Sequence, residues 1–294
     1  FLKRRLRSIL DQTYRDFELI YLDDASTDDS NAVFSRFSDD SRVRAIYNEV
    51  NSGSPFAQWN RGVETATGEF VWIAEADDYT APEFLARMVE TLDANPAVGL
   101  AYCQSIAVDE QDQTLYCLDK RTEKLWPGRW KHDYVENGRE ELREYMLLKC
   151  TIPNASAVVF GKSVFEKAGG AVVDLRLSGD WMTWANMLAL TDVAFVAEPL
   201  NFFRRHAGSI RASAEREGLQ TLEAYQIVHH LHQRLGLAER DLDRACDYHL
   251  GRWLARSTRR KNRIPAHAHL AILQAARKVD SRLGRRLVRR VLGG

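Results

Sequence analysis

Three acids within four positions, Glu75, Asp77 and Asp78, follow directly on the apolar run Phe70-Val71-Trp72-Ile73-Ala74. Carboxylates this crowded repel one another unless a cation or a proton offsets their charge. A hard divalent metal held by oxygen ligands is the leading expectation, and a solvated acidic turn ahead of a helix after Pro82 is the alternative. A further acid, Asp180, follows Gly179 and precedes Trp181, Trp184, Met187 and Leu188, which recur at a helical period. It is expected at a helix start, where the dipole favours the ionised form that a general base requires. A plain N-cap aspartate is the other reading. Arg204 and Arg205 stand beside His206, ahead of Gly208-Ser209, and Arg204 suits a bidentate phosphate contact. Asp23 and Asp24 close the apolar run Phe17 to Leu22 and can accept hydrogen bonds from a base or ribose. Ser26, Thr27 and Asp28 just beyond are candidate N-caps for the next helix.

These residues need a scaffold to bring them together. The run from Glu69 to Ala74 is too short for a helix and reads as a strand buried on both faces. Acids at the C-terminal end of such a strand lie where open α/β sheets bind ligands. Phe17 to Leu22, Arg42 to Tyr47 and Val98 to Cys103 read as further strands. The first helix carries Leu2, Leu6, Ile9 and Leu10 on one face, with Lys3, Arg4, Arg5 and Arg7 around the rest. A turn at Asn51 to Pro55 leads into a helix with Phe56, Trp59 and Val63 inward, stopped at Gly68; another runs from about Pro82 to Ala94. Helix and strand alternate, which defines an α/β layer fold. After about residue 214 the pattern is helical only, and from Arg252 onward Asp280 is the one acid.

Taken in order, the segments DQTYRDFELIYLDDASTDDS, NSG…WNRGVETATGEFVWIAEADD, the Gly179-Asp180 pair and FFRRHAGS resemble family 2 glycosyltransferases of the GT-A fold over residues 1 to 212. That resemblance implies transfer of a sugar from a nucleotide diphosphate-sugar donor, with inversion, to a glycan or lipid-linked acceptor. It implies Mn²⁺ or Mg²⁺ held by Asp77, with His206 on the metal or bonded to the phosphates. Asp24 resembles the nucleotide-base contact, and Asp23, Ser26, Arg61, Glu75 and Arg204 fall on the donor side; Asp78 braces the cluster. Asp180 occupies the position of the family's catalytic base. Glu75 departs from the family's first aspartate, so its implied role is a ribose contact or a water-mediated reach to the ion. The implied fold is a mixed, mostly parallel sheet flanked by helices and lacking its first strand, followed by a basic helical extension over 213 to 294. The family's first strand would precede Phe1, so the strand ending at Asp24 is expected to have an open side, and the chain to be cut from a longer polypeptide.

Other stretches leave two readings each. Trp126 and Trp130, beside Arg129 and Lys131, suit either sugar stacking in an acceptor site or packing of their loop. Ile152 to Ser156 reads as a loop feeding a buried strand, and its position resembles the floor of the family's acceptor site. His229, His230 and His232 share a helix with the stripe Leu222, Tyr225, Val228 and Leu231 and read as structural. The basic C-terminal helices suit peripheral contact with an anionic membrane or a positive face packed on the protein. With 41 Lys and Arg against 41 Asp and Glu, no global basic field argues for nucleic acid. The four cysteines form no CxxC pair, which fits a reducing, cytoplasmic setting. The competing functions are a non-catalytic nucleotide-sugar-binding module and, from Asp23-Asp24, an aspartate-nucleophile phosphohydrolase.

Overall fold

The computed structural model describes residues 1–206, 218–258 and 264–292. Its elements, in chain order, are α1 (Leu2–Leu10), β1 (Leu19–Asp23), α2 (Ser30–Phe34), β2 (Val43–Tyr47), α3 (Pro55–Thr65), β3 (Phe70–Trp72), β4 (Tyr79–Thr80) and α4 (Phe84–Asp93). Next come β5 (Val98–Val108), β6 (Thr114–Cys117), β7 (Tyr134–Glu136), α5 (Gly138–Glu141), β8 (Val158–Gly161), α6 (Lys162–Lys167), α7 (Gly179–Leu188) and β9 (Asp192–Arg204). The C-terminal helices are α8 (Leu219–Leu235), α9 (Glu239–Ser257), α10 (Ala266–Val279) and α11 (Leu283–Leu292).

β1 and β2 pair in parallel and stand apart from a seven-stranded sheet in the order β3-β8-β5-β9-β4, with β6 on β5 and β7 on β9. β1 thus has one partner among the described residues, as the sequence leads one to expect. The sheet is mixed but not mostly parallel: β1–β2 and β5–β9 are parallel, and the other pairings are antiparallel. Helix–strand alternation implies parallel crossovers, but it does not register short strands such as β4, β6 and β7, which add themselves in the opposite sense. β4 also explains why the helix expected from Pro82 starts only at Phe84. Ala81 N–H still bonds the Leu200 carbonyl at 2.9 Å, holding the chain to β9. α3 likewise ends at Thr65 rather than near Gly68, because Glu18 captures the Thr67 amide at 2.6 Å and Lys162 the Ala66 carbonyl at 2.6 Å.

Both faces of the large sheet are covered, and β5 shows it by alternation. Leu100 and Tyr102 point into a core with α3 and α7, whereas Ala101 and Cys103 face α4. β3, expected to be fully buried, is only half-buried along its length. Arg5 departs from its expected surface position and is 1% exposed, on the same stripe as Leu6 and Ile9.

The C-terminal helices share this core. Ala224, Ile227, Val228 and Leu231 of α8 and Ala245 and Cys246 of α9 join one cluster with Trp181, Trp184 and Leu188 of α7. The boundary read at 212/213 falls outside the described residues, as do Ala207-Gly208-Ser209 and the cations Arg259-Arg260-Lys261. Part of the basic charge of α11 is met within the protein. Arg286 pairs with Asp243, with Asp247 at 3.0 Å and with Asp280 at 2.9 Å; Arg282 pairs with Glu239 and with Asp243 at 3.1 Å. Arg285, Arg289 and Arg290 stay exposed.

Candidate active site

At the end of β1 the chain makes a tight turn in which Ala25 takes φ +58°, a region that side-chain-bearing residues seldom occupy. Asp23, 4% exposed, closes it by accepting Ser26 N–H at 3.2 Å and Asn31 Nδ2 at 3.3 Å. Asp28 accepts Ser30 N–H at 3.0 Å, but Asp29 holds the N-cap position, so none of the three cap candidates fills it. Ser26 is exposed. Asp24 reaches across to the turn before α3, accepting Asn48 Nδ2 at 2.6 Å, Ser52 N–H at 2.9 Å, Ser52 Oγ at 2.8 Å and Gln58 Nε2 at 2.9 Å. Partial burial opposes its ionisation, but the bonds from Ser52 and Asn48 outweigh that and hold it below the usual carboxylate value. An acid with its oxygens so engaged is poorly placed as a phosphohydrolase nucleophile. Arg61 is exposed on α3.

The acid cluster sits just past β3. Trp59 Nε1–H of α3 donates to Glu75 Oε1 at 3.0 Å. Burial, reinforced by the charge of Asp77, pushes Glu75 up to about 7. Asp78, 2% exposed, accepts the Arg204 backbone N–H at 2.8 Å. Burial and Asp77 raise it to about 6 against the pull of Arg5. Arg5 lies over the Trp72 ring at 4.6 Å, with none of its three nitrogens hydrogen-bonded. Its own burial lowers it to about 10, while Asp78, Glu75 and Asp77 act to keep it charged. The cluster therefore carries an internal counter-cation, Arg5, which shares the buried side of α1 with Leu6 and Ile9.

Asp77 is the most open member, its side chain 37% exposed, and its Oδ2 lies 3.0 Å from His206 Nε2. The ring of Phe1 packs on His206 at 5.5 Å between centroids. Arg204 is turned inward beneath them. Its Nε donates to the Asp77 carbonyl at 2.8 Å, Nη1 to the Asp109 carbonyl at 2.6 Å, and Nη2 pairs with Asp112 at 2.5 Å. Among the described residues no three His, Cys, Asp or Glu side chains gather as a metal site. One carboxylate and one imidazole in contact nonetheless fit Mn²⁺ or Mg²⁺ of the kind that takes few protein ligands and completes its shell with substrate phosphates.

Asp180 lies in the first turn of α7, behind Ser178 at the N-cap, and accepts Trp181 N–H at 2.7 Å. It lines a cavity, partly open to solvent, whose walls include Arg121, Lys149, Ile152, Leu177, Trp181 and Arg252. Neither Asp77 nor His206 is among the lining residues. The link between the two sides is α3. Gln58 holds Asp24, Trp59 holds Glu75 and stacks on Trp184 at 5.5 Å, and Phe56 abuts Gly179, where a Cβ would clash with the edge of the phenyl ring. Gly179 is thus required by close approach, next to the acid in question.

One residue of evident importance escaped the sequence. Glu223 of α8, 2% exposed, accepts the backbone N–H groups of Arg176 at 2.8 Å, Leu177 at 3.2 Å and Ser178 at 2.7 Å. A buried carboxylate from the C-terminal helices therefore holds the loop that delivers Asp180. The only signal was an acid four residues before Ile227, on the buried face. The indoles resolve towards packing: Trp130, 5% exposed, donates to Tyr102 OH at 2.9 Å, and Trp126 sits edge-on to Tyr145 at 5.2 Å. His230 Nε2 bonds Asn186 Oδ1 at 2.7 Å, in keeping with a structural role.

A mixed sheet between helical layers, with acids at the strand mouths, is the GT-A glycosyltransferase fold. Solved structures agree: Staphylococcus aureus TarS 1-349 in complex with UDP-GlcNAc superposes with a TM-score of 0.71 at 15% identity, covering 95% of this chain and 77% of that one. The Pyrobaculum calidifontis mannosyltransferase PcManGT, in complex with GDP-Man and Mn²⁺, gives 0.57 at 18% identity, covering 96% and 71%. The family model for glycosyl transferase family 2 matches residues 1–161, and the chain belongs to that family. It is an enzyme, a glycosyltransferase. An uncharacterized glycosyltransferase of Nostoc sp. is 26% identical over 279 residues, spanning 87% of this chain and 80% of the relative. The Campylobacter jejuni GalNAc(5)-diNAcBac-PP-undecaprenol beta-1,3-glucosyltransferase is 30% identical over 115 residues, 39% of this chain and 36% of the relative.

Proposed function

We propose that this glycosyltransferase is inverting and metal-dependent, and that it moves a sugar from a nucleotide diphosphate donor to a hydroxyl of a glycan or lipid-linked acceptor. The observation that carries the reading is Asp180, the one carboxylate among the described residues lining the cavity beside α7. An acceptor hydroxyl there attacks the anomeric carbon on the face opposite the diphosphate. The new C–O bond forms as the bond to the leaving phosphate oxygen breaks, and the hydroxyl proton passes to the Asp180 carboxylate. Asp77 and His206 would hold the cation, and Arg204 fixes Asp77 through its carbonyl. A bound divalent ion offsets the negative charge that builds on the departing diphosphate. Asp24 and Glu75 stand on the nucleotide side, oriented by Ser52 and Trp59.

The names of the relatives point to a role in envelope polysaccharide or glycolipid assembly. No described helix is long and apolar enough to cross a membrane. The reading places the enzyme on the cytoplasmic side, with Arg285, Arg289 and Arg290 available for peripheral membrane contact. Calorimetric titration with UDP and TDP, with and without Mn²⁺, followed by turnover assays, tests the scheme. Asp77→Ala is expected to abolish metal-dependent nucleotide binding. Asp180→Asn is expected to keep binding and lose about 10³-fold in turnover. An Asp180→Asn enzyme with more than about a tenth of wild-type turnover would remove the assigned base and favour a binding module.

A further inference from the structure

The chain is neutral as a whole, but its C-terminal helices are not. From Arg252 to Gly294 there are thirteen Arg and Lys against Asp280 alone, in a chain whose totals are 41 and 41. The stretches outside the described residues leave that excess standing. The sequence of 259–263 holds four cations and no acid, and that of 207–217 sets Arg211 and Arg216 against Glu215 and Glu217. Packing then divides the cations of α11 between two sides. Arg286 turns onto the acids of α9, and Arg290 donates to the Asp247 carbonyl at 2.9 Å. Leu283 and Leu287, on the same side, pack with Ile272 of α10 against Tyr225 and Trp253. Arg285, Val288 and Arg289 point the other way, and Val288 is 57% exposed. The arrangement recurs on α10, where Leu270, 62% exposed, shares an outer stripe with Arg277, and Lys278 lies beside it. Among the described residues Arg277, Lys278, Arg285 and Arg289 enter no hydrogen bond or ion pair.

Cations alone would suit any polyanion. Aliphatic side chains set among them suit a bilayer surface, where the cations meet anionic headgroups and the apolar tips enter the acyl boundary. Neither α10 nor α11 contains a Phe, Tyr or Trp on which a nucleic-acid base could stack. We propose that the outer faces of α10 and α11 form a docking surface for anionic phospholipid, with Leu270 and Val288 entering the bilayer boundary and Arg277, Lys278, Arg285 and Arg289 meeting the headgroups. The chain before Arg252 is net negative, so an anionic surface repels that part while it attracts this one, which sets the orientation. α9 joins the surface to the chemistry. Asp243 and Asp247 hold α11, while His249 and Arg252 of the same helix line the cavity of Asp180. Surface and cavity are thus separated by about one helix diameter, roughly 10 Å. Such docking serves the proposed lipid-linked acceptor and rests on that reading for its purpose, but not for the binding itself.

The test sediments the full chain with phosphatidylcholine vesicles, either pure or containing about 30% phosphatidylglycerol. Each cation at an anionic surface strengthens binding about fivefold, so the mixed vesicles should bind about tenfold or more tightly than the neutral ones. Arg285→Gln/Arg289→Gln, at exposed positions, should lose about tenfold or more of that binding while keeping the wild-type circular dichroism. Leu270→Ser/Val288→Ser should lose about threefold or more, and the loss should persist at about 300 mM NaCl, where charge is screened. Asp180→Asn should bind vesicles as the wild type does, so failure of the catalytic reading and failure of this surface are read separately. Equal binding to both vesicles, or binding undiminished by either double substitution in folded protein, overturns the proposal. Tighter binding to DNA or poly-aspartate than to the mixed vesicles overturns it as well, by assigning the face to another polyanion.

Discussion

Replacing Glu223 by glutamine tests whether the C-terminal helices set the reacting geometry. The carboxylate meets three consecutive backbone N–H groups at 2.7 to 3.2 Å and is 2% exposed, so water cannot substitute for it. Glutamine keeps one carbonyl oxygen but turns an amide donor towards donors. Hydrogen bonds to a charged acceptor contribute about 1.5–3 kcal/mol each and neutral ones about 0.5–1.5, and a buried unmet N–H costs about 1–3. Relief from burying the charge offsets part of the loss, which leaves about 2–4 kcal/mol of net destabilisation. A domain of ordinary stability, about 5–15 kcal/mol, still folds under that load. The loop from Arg176 to Ser178 runs straight into the first turn of α7, whereas Asp24 and Glu75 are held by α3. The variant should therefore lose about 10- to 100-fold in kcat per folded molecule, as expected for displacement of a catalytic group by about 1 Å, while donor KM stays within about twofold. Urea unfolding gives the folded fraction, and initial rates give kcat and KM. A kcat per folded molecule within about twofold of wild type would refute the positioning argument and reduce Glu223 to a stabilising contact.

Arg5→Met removes the cation facing Asp78 and Glu75, and the expected loss of about 3 kcal/mol should depend on pH. With Asp78 raised to about 6 and Glu75 to about 7, both carry charge at pH 8 and take up protons below those values. The variant should therefore be most damaged at pH 8 and least at pH 5; an equal loss in urea unfolding at both values would count against Arg5 as counter-charge. His249 behaves in the opposite sense. Burial lowers it from 6.5 to about 4, so its stabilising contribution is complete above 6.5 and is lost as pH falls towards 4. Between pH 7.5 and 5 the wild type should lose about 2 kcal/mol more than His249→Gln does, read as the difference between two urea titration series. Parallel pH profiles would show that the imidazole is not the titrating group.

Local pattern decided a good deal here. The strand before Glu75, the helix start at Asp180 and the alternation of helix and strand depend on short-range periodicity and cap chemistry, which one chain displays without a partner. Bulky apolar residues at helical spacing placed Phe56, Trp59 and Val63 inward, and all three are buried. What pattern could not decide was which polar groups would end up inside and against what. Arg5 and Glu223 look like ordinary surface charges, and their burial follows from packing against Trp72 and against the loop from Arg176 to Ser178, residues far away in sequence. The antiparallel strands β4, β6 and β7 were equally hidden, because a segment of two to four residues becomes a strand only when a neighbour's edge accepts its hydrogen bonds. The residues gathered about Asp180 come from remote parts of the chain. The make-up of a cavity is set by distance in space, and only the folded chain fixes those distances.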